Sequence, residues 1–201
     1  MSNYILPIIL GYLFGSIPFS FLSAKYLGKI DIRNYGSGNS GATNVLRTLG
    51  KKAGIVAFIG DFLKGFIVVA VVNSTLGLEI AVVSGAFTVI GHCYPVFLKF
   101  KGGKGVATAG GTIFALYPLV GFILLISLVI IVLISRMVSL GSISAAFLLP
   151  IISFLLNTDK HFLIYSIIMG LFVIYKHKTN ISRLLKGTES KLGSTPIKKN
   201  P

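Results

Sequence analysis

The chain lacks tryptophan and has little charge, few acidic residues and a single cysteine. Only 12% of its 201 residues are charged, and five of them are acidic. Because a soluble domain typically has about a quarter of its residues charged, this shortage excludes an ordinary water-exposed surface. Cys93 is the only cysteine, which excludes an intramolecular disulfide.

Common metal and nucleophile motifs are also absent. No CxxC, HExxH or GxSxG pattern occurs, and the three histidines and five carboxylates are spread along the chain. We therefore predict neither a metal site nor a cofactor.

The chain is rich in apolar residues, which make up 54% of it, and its mean hydropathy is +0.87. This composition predicts a single integral-membrane domain over residues 1–193, followed by a disordered basic tail at 194–201. The N-terminus has no basic region of the kind that precedes a cleaved signal peptide, so we expect the first apolar run to be retained as a span.

The apolar runs predict an all-α polytopic protein with about seven transmembrane helices. The run at 106–135 is long for one helix and short for two, and we divide it at Pro118 because the residue before a proline disfavours helix. The first predicted span, 4–24, is expected to be kinked at Pro18. The other predicted spans are 55–76, 80–98, 143–156 and 162–175.

Basic residues collect on one side of this topology. The net charge is +14, and with seven spans nearly all Lys and Arg residues fall in loops on the same face, Lys160 being on the opposite one. Basic loops stay cytoplasmic, which predicts an outside N-terminus and a cytoplasmic C-terminus. Because the charges avoid the apolar runs, we expect membrane lipid and not nucleic acid as a partner.

The first polar motif is a glycine-rich stretch at residues 34–50, NYGSGNSGATNVLRTLG. Glycines let backbone N–H groups converge on an anion, and a following helix N-terminus adds positive potential. Arg47 can bind two oxygens at once. We interpret the stretch as a phosphate-binding loop, the alternative being a flexible turn; its candidate ligands are Ser37, Gly38, Asn39, Thr43, Asn44 and Arg47.

The second motif is GHCYPVFLKFKGGKGVATAGG at residues 91–111. Gly102 and Gly103 precede Lys104 at the start of the fourth span, which is a second glycine loop with a cation placed for a phosphate. The spacing is not the Walker pattern, so we infer no ATP binding. His92 lies near the inner end of the third span and is interpreted as a general base or phosphate ligand, the alternative being a buried hydrogen-bonded histidine.

Further candidates lie in SLGSI at 139–143 and HKTNISRLLKGTE at 177–189, from which we select Ser142, His177 and Asn180. The alternative for the last segment is an amphipathic tail lying on anionic lipid. Asp61 and Lys64, three residues apart in the second span, are expected to neutralise each other and hold the helix in the bundle, with support of the nearby loop as a second option.

These motifs, GSGNSGATN, GHCYPVFLKFKGGKGVAT and the pair SLGSI and HKTNISRLLKGTE, resemble those of the bacterial acyl-phosphate:glycerol-3-phosphate acyltransferases. The resemblance covers nearly the whole chain. It implies an integral enzyme of phospholipid synthesis in the bacterial inner (plasma) membrane, with its active site facing the cytoplasm. The implied reaction transfers an acyl group from acyl phosphate to the 1-hydroxyl of sn-glycerol 3-phosphate, giving lysophosphatidic acid and phosphate.

The donor is expected to be acyl phosphate and not acyl-CoA. No histidine is followed by an aspartate five positions later, as the acyl-CoA-dependent glycerolipid acyltransferases would require. An acyl phosphate is already activated, so alignment and charge neutralisation of two anions would suffice. We expect the acyl phosphate on the first loop with Lys104, and glycerol 3-phosphate near His92, Ser142, His177 and Asn180.

The proton of the attacking hydroxyl has three candidate acceptors, namely His92, His177 and the phosphate of the donor itself. The main alternative function is a membrane transporter for an organic phosphate, which would also need basic loops. A structural subunit that binds anionic lipid would explain the lysines but not the two glycine loops.

Overall fold

The structure is a computed structural model that describes residues 2–193, and these residues form ten α-helices. The predicted tail at 194–201 lies outside the described residues. Two short 3₁₀ turns, Ile32–Asn34 and Val96–Leu98, lie in the loops. The helices are α1 Ser2–Gly15, α2 Phe19–Gly28, α3 Ala42–Leu49, α4 Lys51–Leu76, α5 Leu78–Cys93, α6 Val106–Leu116, α7 Pro118–Ser135, α8 Val138–Leu155, α9 Lys160–Lys176 and α10 Lys178–Leu185.

The described residues contain five segments long and apolar enough to cross a membrane, or six if α9 and α10, bent by 60°, count as one. This confirms the predicted all-α polytopic class. With 11 residues, α6 is only about 16 Å long, roughly half the hydrocarbon thickness of a bilayer. The count of seven spans and the orientation therefore remain predictions.

Both predicted proline breaks are present. Pro118 is the first residue of α7, and Tyr117 separates it from α6, so the run at 106–135 is divided where the sequence predicted. The first span is divided as well, because α1 ends at Gly15 and α2 starts at Phe19, directly after Pro18. A proline has no backbone N–H, so the carbonyls before it lose helical partners.

Small residues allow the helices of the bundle to approach closely. Along the contact between α1 and α5, a Cβ added to Gly15 would lie 2.1 Å from the Thr88 carbonyl oxygen. One added to Gly91 would lie 2.3 Å from the Tyr12 carbonyl oxygen. Such glycines at crossing points are typical of membrane helix packing, where dispersion contacts replace the hydrophobic driving force of water.

The main apolar core lies between α5, α6, α7, α8 and α9, with Phe162 as its largest fully buried side chain. A smaller cluster of Ile32, Val45 and Ala57 lies beneath α3. The outward faces of the long helices carry exposed apolar side chains, including Ile134 at 81% exposure, as expected of a surface covered by lipid.

Candidate active site

A polar cavity of about 200 Å³ lies where four of the described helices begin. The first turns of α3, α6 and α8 line it with Thr43, Val106 and Ser139, and His177 precedes α10 there. The first N–H groups of a helix have no intrahelical partner and carry partial positive charge. Four such ends around one cavity favour an anionic ligand.

The first glycine loop, residues 36–41, is held by the buried side chain of Asn44. The Asn44 amide nitrogen donates to the carbonyl oxygens of Ile32, Tyr35 and Asn39 at 3.2, 3.0 and 3.0 Å. Its amide oxygen accepts from the Ser37 backbone N–H at 3.0 Å. Asn44 therefore supports the first loop, and because it also lines the cavity its role as a substrate ligand stays a prediction.

The second glycine loop, residues 102–105, contacts His92 and the first loop. The Gly103 N–H donates to the His92 carbonyl oxygen at 3.2 Å. A Cβ on Gly103 would lie 2.2 Å from His92 Nε2, so only glycine fits against the imidazole. Asn39 Nδ2 donates to the Gly102 carbonyl oxygen at 3.5 Å. The two loops are therefore neighbours, as a shared phosphate site requires.

Three cationic side chains surround the cavity, Arg47 from α3, Lys104 from the second loop and Arg183 from α10. The Lys104 amine donates a hydrogen bond to Asn180 Oδ1. Burial lowers the pKa of Lys104 to about 8, and the neighbouring cations Arg183 and Arg47 act in the same direction. A bound anion would reverse this effect.

Arg47 has donor capacity left for a ligand. Its Nη2 donates to the Ser190 carbonyl oxygen at 3.0 Å, while its buried Nε has no hydrogen-bond partner within the described part of the chain. Burial lowers the pKa of Arg47 from its ordinary value. Arg47 lines the cavity, and a guanidinium group is suited to binding phosphate oxygens.

Glu189 is a cavity residue that the sequence analysis did not select. Its carboxylate accepts hydrogen bonds from Ser139 Oγ, Asn180 Nδ2 and Arg183 Nε, each at 2.7 Å. Burial raises the pKa of Glu189, but these three hydrogen bonds outweigh it and leave the pKa below its usual value. The sequence offered one sign of this residue: Glu189 is one of only five acidic residues and follows a basic helix, whose cations it could pair with.

The histidines in the cavity differ in which ring nitrogen is available. His177 Nδ1 lies 2.7 Å from the Val173 carbonyl oxygen, so it carries the proton and leaves Nε2 as an acceptor. His92 Nδ1 lies 3.4 Å from Asp61 Oδ1, and its Nε2 is turned to Gly103. Of the two, His177 has the freer acceptor.

The structure gathers most of the predicted ligands around one cavity. Three predicted glycines, Gly38, Gly102 and Gly103, do not line it but form the loops behind it. Gly38 adopts φ +71°, a left-handed conformation that favours glycine. The predicted residues that do line the cavity are Ser37, Asn39, Thr43, Asn44, Arg47, His92, Lys104, Ser142, His177 and Asn180.

An apolar pocket of about 320 Å³ adjoins the polar cavity between α4, α6, α7, α8 and α9. The two share lining residues, among them Phe58, Leu128 and Ser142. Deeper walls are provided by Ile113 and Leu149. The site thus combines a cationic head region with an apolar compartment large enough for part of a hydrocarbon chain.

These features define a polytopic helical membrane protein in which a polar cavity with cationic side chains adjoins an apolar pocket. The chain belongs to the glycerol-3-phosphate acyltransferase family, whose model matches residues 5–187. It is 47% identical over 190 residues to the glycerol-3-phosphate acyltransferase of Desulforamulus reducens, covering 94% of this chain and 95% of the relative. The Thermoanaerobacter pseudethanolicus protein of the same name is 45% identical, covering 96% and 98%.

Solved structures agree with this assignment. The chain matches PlsY, an integral membrane glycerol 3-phosphate acyltransferase, in its glycerol 3-phosphate form, with a TM-score of 0.91 and 44% identity over 95% of this chain and 96% of that one. The lysophosphatidic acid form of PlsY matches with a TM-score of 0.89, 42% identity and the same coverage.

Proposed function

We propose that this protein transfers an acyl group from acyl phosphate to the 1-hydroxyl of sn-glycerol 3-phosphate, releasing 1-acyl-glycerol 3-phosphate and phosphate. The observation that carries the proposal is the junction of the cationic cavity with the apolar pocket. One reactant has a phosphate and a fatty tail, and the other is a small soluble phosphate. The PlsY structures with glycerol 3-phosphate and lysophosphatidic acid support the same acceptor and product.

Acyl phosphate as donor is supported by what the reaction then demands of the protein. The mixed anhydride is activated and phosphate is a good leaving group, so no covalent enzyme intermediate is needed. The protein must hold two anions that repel each other. Helix N-termini, Arg47 and Lys104 supply the positive charge that this requires. The chain has no histidine-aspartate pair of the spacing used with acyl-CoA.

The donor phosphate is assigned to the first loop, with Ser37, Asn39, Arg47 and Lys104, and its chain to the apolar pocket. Glycerol 3-phosphate is assigned to the side of Ser142, His177 and Asn180, with His92 at the base of the loops. The contact between Lys104 and Asn180 joins the two halves. Lys104 is therefore placed to neutralise charge on the phosphate that leaves.

Two groups suit the hydroxyl proton. His177 Nε2 is an acceptor inside the cavity, and the donor's phosphate is the alternative. If His177 is the base, His177→Ala lowers kcat by about a hundredfold or more, whereas near-normal kcat in both His177→Ala and His92→Ala assigns the proton to the donor phosphate. The measurement is steady-state phosphate release at saturating concentrations of both substrates, with the folded state checked by gel filtration.

The membrane assignment, a bacterial inner membrane with the cavity on the cytoplasmic side, is supported by the clustering of basic loops. Accessibility of single cysteines introduced into residues 99–101 and into the 157–160 loop, in a Cys93→Ser background, tests it in intact cells and in lysed membranes. Labelling of a cysteine at residues 99–101 in intact cells by an impermeant reagent would contradict the orientation.

The decisive experiment incubates purified protein with palmitoyl phosphate and glycerol 3-phosphate and measures phosphate and lysophosphatidic acid. Palmitoyl-CoA is the comparison donor. We expect product only from palmitoyl phosphate. Equal turnover with palmitoyl-CoA would refute the donor assignment, and flux of glycerol 3-phosphate into liposomes without acyl transfer would instead indicate a transporter.

A further inference from the structure

Asp61 is a buried carboxylate within the span formed by α4, where its pairing with Lys64 suggests a purely structural role. We propose that Asp61 is instead a positioning residue for catalysis, which acts through His92 on the loop that carries Lys104. This inference rests on the proposed acyl transfer, because Lys104 is given its role there. The chain of contacts has three steps.

The first step joins Asp61 to Lys64 on its own helix and to residues of α2 and α5. Lys64 Nζ lies 3.0 Å and His92 Nδ1 3.4 Å from Asp61 Oδ1, while Ser20 Oγ donates to Oδ2 at 2.5 Å. Asp61 is 1% exposed and Lys64 is 5% exposed. Burying two charges is costly, so such a pair is weak evidence for stability alone.

The second step explains the position of Lys64. Its ammonium donates to the carbonyl oxygens of Gly15 and Ile17, both at 2.8 Å. These carbonyls lie at the break between α1 and α2, where helical partners are missing. Lys64 therefore anchors the broken span, and the same carboxylate that pairs with it is shared with His92.

The third step leads from His92 to Lys104. The His92 carbonyl accepts the Gly103 N–H, and the imidazole packs directly against Gly103. Glycines resist distortion weakly, so the second glycine loop takes its shape from what it contacts. The Asp61 carboxylate, 3.4 Å from one imidazole nitrogen, restricts the orientation of the ring. Asp61 thus holds the surface on which the residue before Lys104 rests.

The consequence for the reaction is large if the loop shifts. Displacement of a catalytic group by about 1 Å can lower a rate by about a hundredfold. An anchoring role predicts lower stability for Asp61 variants and normal turnover of the folded protein. A positioning role predicts a lower kcat even when the fold is retained.

The test compares Asp61→Asn with the double variant Asp61→Asn/Lys64→Gln. The single variant leaves Lys64 as an unpaired buried charge, whereas the double variant removes both charges and keeps amide donors near Gly15 and Ile17. We expect the double variant to regain thermal stability while kcat stays about tenfold or more below wild type, because the carboxylate that orients His92 is still missing. Recovery of kcat with stability would overturn the proposal.

A double-mutant cycle with His92→Gln supplies the second readout. If Asp61 acts through His92, Asp61→Asn lowers kcat far less in a His92→Gln background than in wild type. Effects that multiply would overturn the proposal. If Asp61→Asn fails to fold, Ser20→Ala replaces it in the same cycle, because it removes the hydrogen bond to Asp61 Oδ2 without changing any charge. We expect Ser20→Ala to lower kcat less than Asp61→Asn would.

The matched control is Ser84→Ala, which removes another buried hydrogen bond, that from Ser84 Oγ to the Pro7 carbonyl at 2.9 Å, far from the glycine loops. We expect it to lower the melting temperature and leave kcat unchanged. Assays of the wild-type protein separate the proposed function from the positioning role of Asp61. Absence of acyl transfer from palmitoyl phosphate in wild type refutes the proposed function, whereas normal kcat in folded Asp61 variants of an active enzyme refutes only the positioning role.

Discussion

The two glycine loops look alike in sequence but are supported in different ways. The first is held from within, by the side chain of Asn44 on the helix that follows it. The second is held from outside, by His92 on α5, which lies before it in the chain. Arg47, on the helix that follows the first loop, and Lys104, in the second loop, line the same cavity. The comparison shows that a loop's ligand can be guessed from local sequence, whereas its support can come from a distant helix.

The largest expected effect comes from removing the cation of either loop. Arg47→Ala and Lys104→Ala should each lower kcat/KM by about a hundredfold or more, because each removes a charge that stabilises a developing phosphate dianion in a site shielded from water. Phosphate release from palmitoyl phosphate measures both. Near-normal turnover in one purified variant would show that the loops are not equivalent and would refute its placement.

A smaller effect is expected from a methyl group in the second loop. The Cβ of Gly103→Ala would lie 2.2 Å from His92 Nε2, so either the imidazole or the loop that carries Lys104 must shift. We expect kcat to fall by about tenfold or more. In a His92→Ala background the same substitution should have little further effect. If it is equally harmful there, the loop is not supported by His92.

Removing the Asn44 side chain that supports the first loop should mainly lower the stability of the protein. Asn44→Ala leaves three carbonyls and one N–H without their partner, a loss of about 2–4 kcal/mol in the free energy of unfolding if each contributes about 1 kcal/mol. Thermal unfolding in detergent measures it. Thr75→Ala, which removes exposed hydrogen bonds at the far end of α4, is the control. An unchanged melting temperature for Asn44→Ala would contradict internal support.

The mildest test uses pH. With a pKa of about 8, Lys104 in the free protein loses its charge as the pH rises through that value, so kcat/KM should fall above about pH 8. Bound substrate raises the pKa again, and kcat should stay level to higher pH. Lys104→Arg, which keeps its charge, should remove the decline in kcat/KM. The same decline in the arginine variant would assign it to another group.

Prediction from sequence succeeded where the signal was local. The apolar runs predicted the helices, the residue before Pro118 predicted the division of residues 106–135, and the glycine loops predicted the cavity with Arg47 and Lys104. Glu189 and Ser139 were missed, because each derives its role from contacts between elements distant in sequence. Asn44 was selected as a substrate ligand, which stays a prediction, and the structure adds its support of the first loop.

The sequence alone determined the class of this protein. Apolar length dictates helices that span lipid, since backbone groups must be satisfied within each segment, and the glycines beside Arg47 and Lys104 predicted phosphate-binding loops. Only the tertiary structure decided that four helix ends and both loops meet at one cavity beside an apolar pocket, and that Asp61 contacts His92. Such contacts depend on how helices pack, and packing depends on the shapes of all the neighbours at once.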